Sequence, residues 1–354
     1  MKKMINEIED LVKEQMEGLA MAHPELKISY QPRYMWHEQS SGQVALISGG
    51  GSGHEPLHAG FIGRGMLTGA CPGEIFTSPT PDQMYECGQK LNSNEGVLFF
   101  IKNYTGDVLN FETAVELLHF DGIEVGAVLI DDDVAVKDSL YTAGRRGVAG
   151  TVLVEKIVGA AADKGYNLTE CETLARRINN ATRSFGAALS ACIVPAAGKP
   201  SFVLADNEVE FGVGIHGEPG IELSKFTNAD DLVDNMFAQL ADNTPYTRYH
   251  HHWDRAAGQW NDVEVTNTPF EAQQDYIVLV NGLGATPESE LYGVYRRVAH
   301  NCEKAGFRIA RRLVGNYCTA LNMEGVSITL LKADQEMLML WDAPVNTPAL
   351  RWGC

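Results

Sequence analysis

Apolar positions repeat with two different periods along this chain, and the alternation between the periods sets out its organisation. Ile5, Ile8, Leu11, Val12, Met16 and Leu19 recur at helical spacing and predict an amphipathic packing helix that ends before His23-Pro24. Residues 44–48 form a short apolar run that stops in Gly49-Gly50-Gly51-Ser52-Gly53, the pattern of a buried strand ending in a tight loop. Residues 97–102 and 125–130 repeat that grammar. The first runs into Asn103-Tyr104-Thr105-Gly106-Asp107 and the second into Asp131-Asp132-Asp133. Between these strands lie helical stretches: Thr80-Pro81-Asp82-Gln83 is a capping box opening a helix through Leu91, and residues 108–118 predict another. Strands alternating with helices imply a mainly parallel sheet, whose ligand crevice lies beyond the carboxyl ends of the strands. Residues 49–54, 103–107 and 131–133 then share one rim.

Between residues 181 and 207 the pattern loosens into Pro195, Gly198 and Pro200, which reads as a crossover between two lobes. The second lobe restarts the alternation. Residues 210–215 lead into His216-Gly217-Glu218-Pro219-Gly220, residues 276–280 lead into Asn281-Gly282-Leu283-Gly284-Ala285-Thr286-Pro287, and a helix follows over 289–304. Residues 326–331 and 337–341 are the last predicted strands, before a tail with Pro344, Pro348 and Trp352. Residues 242–270 are polar and irregular and receive no assignment. The expected fold is α/β, with lobes at 1–190 and 191–354, each a mainly parallel or mixed sheet flanked by helices, and a tail able to return to the first lobe.

Composition narrows the function. The 354 residues are 45% hydrophobic and 21% charged, enough for a sizeable core. A formal charge of −18 disfavours nucleic acid and anionic lipid as partners, since both need clustered Lys and Arg. The seven cysteines are scattered without a CxxC pair, which reads as reduced thiols. Neither a signal-peptide core nor a run of roughly 20 apolar residues is present, so a cytoplasmic protein is expected.

Several familiar templates almost fit the glycine-rich loop. GxGxxG from Gly49 would need glycine where His54 stands, GxSxG around Ser52 fails at the same place, and the Walker A pattern occurs nowhere. The loop is an oxygen or anion cradle, or simply a tight turn. His54-Glu55-Pro56-Leu57-His58 matches HExxH, but Pro56 fits only the first turn of a helix, so the two rings need not share a face and a metal is not expected. His250, His251 and His252 read as an exposed polar segment. Asp107 is either the cap of the next helix or a catalytic acid or base. Lys102, inside an apolar run, needs an anion, a carbonyl or water, unless its strand is at an edge. His54-Glu55-Pro56 and His216-Gly217-Glu218-Pro219 echo each other, two glycine-flanked histidines after strands in different lobes, able to converge on one small ligand.

The blocks Ser48 to Pro56, Lys102 to Asp107 and Gly214 to Gly220 together resemble the dihydroxyacetone kinase substrate-binding subunit family. Cys71 to Pro79, Asp131 to Val136 and Asn281 to Pro287 extend the resemblance nearly end to end. It implies that His216 attacks the ketone carbon of dihydroxyacetone to give a covalent hemiaminal, that Asp107 and His54 handle the proton of the hydroxyl that accepts phosphate, and that Gly51, Ser52, Gly53 and Lys102, with His54, hold substrate oxygens. The chemistry suits a neutral imidazole, whose ordinary pKa is about 6.5, and selects ketones over simple alcohols. With no Walker A loop and no further domain, the chain resembles the phosphotransferase-system type, in which a separate nucleotide-binding kinase subunit carries ADP or ATP with magnesium. No cofactor and no metal are then expected on this chain, and a homodimer is. A non-catalytic sensor or coactivator that binds dihydroxyacetone is the competing reading; Asp107 and His54 beside His216 favour catalysis.

Overall fold

The computed structural model describes residues 2–38, 42–136 and 144–354. Its first sheet contains β1 (Leu26–Tyr30), β2 (Arg33–His37), β3 (Ala45–Ser52), β4 (Gly69–Ile75), β5 (Val97–Lys102) and β6 (Val125–Ile130), in the order β1-β2-β4-β3-β5-β6. The last four in that order run parallel, and β1 and β2 add an antiparallel edge. Every residue of β3 and β5 is buried, because a parallel sheet needs cover on both faces. Helices α1 (Leu11–Ala22), α2 (Pro81–Leu91), α3 (Thr105–Phe120), α4 (Gly150–Asp163) and α5 (Leu168–Asn180) provide it. Alternate side chains of β5 divide the work: Phe99 and Ile101 pack with Met84, Phe111 and Leu118 from α2 and α3, while Leu98 and Phe100 join Val152, Ile157 and Leu174 from α4 and α5. Both α2 and α5 open on complete capping boxes, Thr80 with Gln83 and Asn167 with Glu170.

The second sheet takes β7 (Thr182–Ala188), β8 (Glu208–Phe211) and β9 (Glu222–Lys225), leaves out a hairpin of β10 (Thr247–Asp254) and β11 (Gln259–Thr266), and resumes with β12 (Asp275–Gly282), β13 (Arg308–Gly315) and β14 (Gly325–Ala333). Its order is β13-β12-β14-β7-β8-β9, and only β12 and β13 run parallel, so this sheet is mixed rather than mainly parallel. Helices α6 (Ala229–Ala241) and α7 (Glu288–Ala305) bury one face with Val233, Met236, Leu291 and Val298. From the other face Ile277, Leu279 and Leu331 enter the same core as α4. The helix α4 therefore lies between the two sheets and is buried from Gly150 to Ala162.

Two readings change, at residues 337–341 and at His250, and two stretches without a strand assignment contain strands. The strand β7 precedes the boundary expected near residue 190 yet pairs in the second sheet; Arg183 and Ser184 break its apolar run, so it carried no strand signal. Residues 337–341 belong to a helix, α8 (Gln335–Trp341), started by the Asp334 side chain accepting from the Met337 amide at 2.9 Å. There Met337, Leu338, Leu340 and Trp341 are buried while Met339 is exposed, a helical spacing too short to separate from a strand in sequence. The polar stretch over 242–270 contains the β10 and β11 hairpin. Its three histidines alternate across β10: His250 is buried against Asp131, whereas His251 faces Glu112 and Asp262 outside. Beyond α8 the short pair β15 (Val345–Asn346) and β16 (Arg351–Trp352) lies on the first lobe, where the Ala349 amide donates to Gly60 at 2.9 Å and Asn346 bridges Arg64.

Asp131, at the end of β6, latches the hairpin. Its carboxylate accepts from Arg248, from His250 Nε2 at 2.8 Å and from Asn179 Nδ2 at 2.7 Å. Burial opposes its ionisation, but His250 and Arg248 outweigh burial and hold the carboxyl well below the usual carboxylate range. A depressed carboxyl contributes stability that is complete above its unfolded-chain value near 3.8 and is lost only as pH falls through the lower folded value. Asp131→Ala leaves Arg248 buried without its anion and is expected to cost about 3–5 kcal/mol. Hydrogen exchange should rise selectively over 247–266, and the acid-denaturation midpoint should move to higher pH.

Candidate functional site

A cleft of about 640 Å³ opens between the lobes. The first lobe contributes Phe76, Ser78, Tyr104, Thr105, Gly106 and Asp107 to its walls, and the second contributes Val194, Ser201 and the loop His216-Gly217-Glu218-Pro219. These segments follow the carboxyl ends of β4, β5 and β8, as the rim argument requires.

His54 and His216 meet at the edge of this cleft. Their Nε2 atoms are 3.0 Å apart, with the rings perpendicular at a centroid separation of 4.5 Å. His54 Nδ1 lies 2.9 Å from the Thr319 carbonyl, which can only accept, so the His54 proton is assigned to Nδ1 and its Nε2 presents a lone pair to His216. Burial, then the charges of His216 and Lys102, push the His54 imidazole well below its ordinary value. A fully buried, neutral His54 is thus a proton acceptor placed against the partly exposed His216 ring. Aromatic rings fix both. Phe76 stacks on His54 at 5.0 Å, and Tyr104 and Phe76 stand edge-on to His216 at 4.3 and 5.3 Å. Phe76 does so from a backbone φ of 55°, a conformation that side-chain-bearing residues seldom adopt.

The His216 loop is held by Glu218. Its Oε2 accepts the His216 amide at 2.7 Å and its Oε1 stands 3.7 Å from His216 Nδ1. Burial opposes ionisation of Glu218, yet the hydrogen bond and charge of His216 and the Arg146 guanidinium bring its carboxyl down to about 2. Arg146 also donates to Asp133 and, at 2.7 Å, to the Gly212 carbonyl, tying the first sheet to the loop that bears His216.

Asp107 is not a helix cap. The cap position of α3 is Tyr104, which makes no side-chain cap bond, and Asp107 sits in the first turn with its carboxylate turned inward. One oxygen, Oδ2, is 3.6 Å from Lys102 Nζ, and the other is buried without a hydrogen-bond partner, an unfilled acceptor beside the cleft. Lys102 is fully buried on an inner strand, which removes the edge explanation; it donates to the Gly49 carbonyl at 3.3 Å and to His58 Nε2 at 3.2 Å. Gly50 makes this possible, since a Cβ there would lie 2.2 Å from the ammonium.

The glycine run continues β3 as far as Ser52 rather than forming a free cradle. Gly51 pairs with Gly73, the Ser52 hydroxyl donates to the Gly73 carbonyl at 2.7 Å, and the Gly53 amide donates to the Glu55 carboxylate at 3.0 Å. The HExxH histidines serve different partners, His54 turning to Thr319 and His216 while His58 turns to Glu155 and Lys102. The acidic run that was expected on the rim is structural. Asp131 latches the hairpin, Asp132 accepts from the Val148 and Gly150 amides at the start of α4, and Asp133 pairs with Arg146. Burial pushes the Asp132 carboxyl up to about 6.

Sequence reasoning brought His54, Lys102, Asp107 and His216 to one neighbourhood but missed Phe76, Tyr104, His58 and Glu155. Two of these left a signal, His58 as the second histidine of HExxH and Glu155 as an acidic residue within the apolar stretch that became α4. As chemistry, the arrangement offers a partly exposed imidazole whose nitrogen can give up its proton to a second ring as it attacks an electrophile, with an unfilled carboxylate oxygen on the same cleft.

Comparison with known proteins gives the chain a family. The chain is 60% identical over 355 residues, and over the whole of both proteins, to the dihydroxyacetone-binding subunit DhaK of the PEP-dependent dihydroxyacetone kinase of Escherichia coli. Among solved structures it superposes on the dihydroxyacetone kinase of C. freundii in complex with AMP-PNP and Mg2+ with a TM-score of 0.85 and 31% identity, covering 99% of this chain and 61% of that one. It also superposes on the dihydroxyacetone kinase operon co-activator Dha-DhaQ with a TM-score of 0.82 and 33% identity, covering 97% and 98%. Matched to the Dak1 domain over residues 17–349, the chain belongs to the Dak1 family.

Proposed function

We propose that this chain is the dihydroxyacetone-binding catalytic subunit of a phosphoenolpyruvate-dependent dihydroxyacetone kinase, and that His216 captures the substrate as a covalent hemiaminal. The contact that carries the reading is the 3.0 Å approach of the His216 and His54 Nε2 atoms at the wall of the cleft. His216 Nε2 passes its proton to His54 Nε2 and attacks the ketone carbon; the C=O electron pair moves to oxygen, which takes the proton from His54. One N–C bond and one O–H bond form, no water leaves, and His54 returns to its neutral state. Glu218 positions the attacking ring by holding its loop, its Oε2 accepting the His216 amide at 2.7 Å.

Asp107 then receives the proton of the terminal hydroxyl as that oxygen attacks the phosphoryl group, a role supported by its unfilled buried oxygen beside the cleft. Lys102, behind Asp107, supplies positive charge to the same corner. Gly51, Ser52 and Gly53 lead directly into His54 and position its ring, the Ser52 hydroxyl and the Gly53 amide being committed to Gly73 and Glu55. The nucleotide, with magnesium, belongs to a partner subunit that docks over the cleft. The lobes divide before β7, the cytoplasm is the compartment, and the assembly is a homodimer, which light scattering of the purified protein checks directly.

A coactivator that binds dihydroxyacetone without transferring phosphate is the second reading, supported by the likeness to Dha-DhaQ. Turnover separates the two: with the nucleotide-bearing subunit and its phosphocarrier present, the kinase makes dihydroxyacetone phosphate and the coactivator makes none.

Under native conditions, mass spectrometry of the wild type incubated with dihydroxyacetone should show the mass of one substrate added without loss of water, and His216→Ala should show no addition. Equal labelling of the two proteins contradicts the assignment. Asp107→Asn should keep the adduct and lose on the order of 10²–10⁴-fold in turnover; wild-type turnover removes Asp107 from the mechanism.

A further inference from the structure

Behind the cleft, Lys102 is linked to two buried ionisable groups that the proposed reaction leaves unused. Glu155, in the middle of α4, is fully buried and accepts from His58 Nδ1 at 2.7 Å. His58 Nε2 in turn stands 3.2 Å from Lys102 Nζ. The ammonium can only donate, so His58 Nε2 is the acceptor and its proton is on Nδ1, directed at Glu155. The order of donation is thus fixed along Lys102, His58 and Glu155. Two of the three ammonium protons are committed, to His58 and the Gly49 carbonyl, which leaves the third for Asp107, 3.6 Å away.

We propose that His58 and Glu155 are positioning residues for phosphoryl transfer, holding Lys102 as a charged ammonium in the one orientation that faces Asp107. An ammonium with no exposure survives only if its protons are accepted, and the side chains of Phe100, Val152 and Ile157 packed around this strand can accept none. The groups that face this chain are His54 beside His58, Asp107 on α3, Ser48 on β3 and the Cys318 thiol, with Asp132 beyond it. His54 and Cys318 are neutral as buried, and Asp107 is the anion within 4.0 Å of the ammonium on the cleft side. Burial drives the Glu155 carboxyl well above its ordinary value, against the opposing charge of Lys102.

The inference rests on the assignment of Asp107 above, and three variants separate the two. His58→Phe keeps ring volume and removes both nitrogens; Glu155→Gln keeps size and an acceptor and removes the ionisable carboxyl. Each is assayed with the nucleotide-bearing subunit for the pH dependence of kcat, and alone for adduct mass and thermal midpoint. His58→Phe should retain the adduct, lose on the order of 10–100-fold in kcat with little change in KM, and shift the acidic limb of its profile to higher pH, as the positive charge facing Asp107 weakens. Glu155→Gln should shift the limb in the same direction by less. Adduct retained with wild-type kcat and an unshifted profile in both variants overturns the proposal, as does a lowered thermal midpoint with an unshifted profile, which marks a purely structural role. If His58→Phe does not fold, Glu155→Gln decides alone. Wild-type turnover in Asp107→Asn would instead sink the underlying reading, whatever the other variants do.

Discussion

The site depends on keeping one ammonium charged inside a parallel sheet. Lys102 lies on an inner strand without exposure, where an unpaired charge would be prohibitive, and the surroundings are arranged to receive it. Gly50 has no side chain because one would occupy the place of the ammonium. The helix α3 turns Asp107 inward rather than using it as a cap, and α4 carries Glu155 through an otherwise apolar core to reach His58. Each of these departures from ordinary packing is costly alone, and together they satisfy one another.

The second constraint is the joining of two sheets that are built differently. The parallel first sheet ends its strands on one rim, and the mixed second sheet delivers the His216 loop opposite that rim. Buried polar ties hold the register between them. Arg146 links Asp133 to the Gly212 carbonyl, the Thr319 carbonyl anchors His54, and Ser184 of β7 bonds Asp132 at the end of β6. Because α4 is packed between both sheets, the distance between His54 and His216 is set by a shared core instead of a hinge. A site that must bring two imidazoles within bonding range from different lobes benefits from that rigidity.

Much of this was legible in the sequence because strand ends carry polar residues in recognisable order. Residues 97–102 and 125–130, the box at Thr80 and the glycine-flanked His54 and His216 all announced themselves through period, capping chemistry and punctuation. What stayed hidden depended on partners distant in sequence. The strand β7 is interrupted by Arg183, whose guanidinium is satisfied by the carbonyls of Leu240, Asp242 and Thr268 and the side chain of Asn243. The polar stretch of β10 becomes a buried strand face only because Asp131 waits for His250 and Arg248. Asp107 read equally well as a cap, since local spacing says nothing of the ammonium behind it. The ring of Phe76 on His54 follows from an unusual backbone angle that no local pattern encodes.

The central claim is that His216 Nε2 forms a bond to the ketone carbon. The most direct measurement is solution NMR of dihydroxyacetone labelled with carbon-13 at its ketone position, mixed with protein labelled with nitrogen-15 at histidine. The account predicts that the bound ketone signal moves into the tetrahedral range and shows one-bond coupling to a single histidine Nε2, which disappears in His216→Ala. A bound ketone carbon that stays trigonal, with no coupling to any histidine nitrogen at saturation, would contradict it.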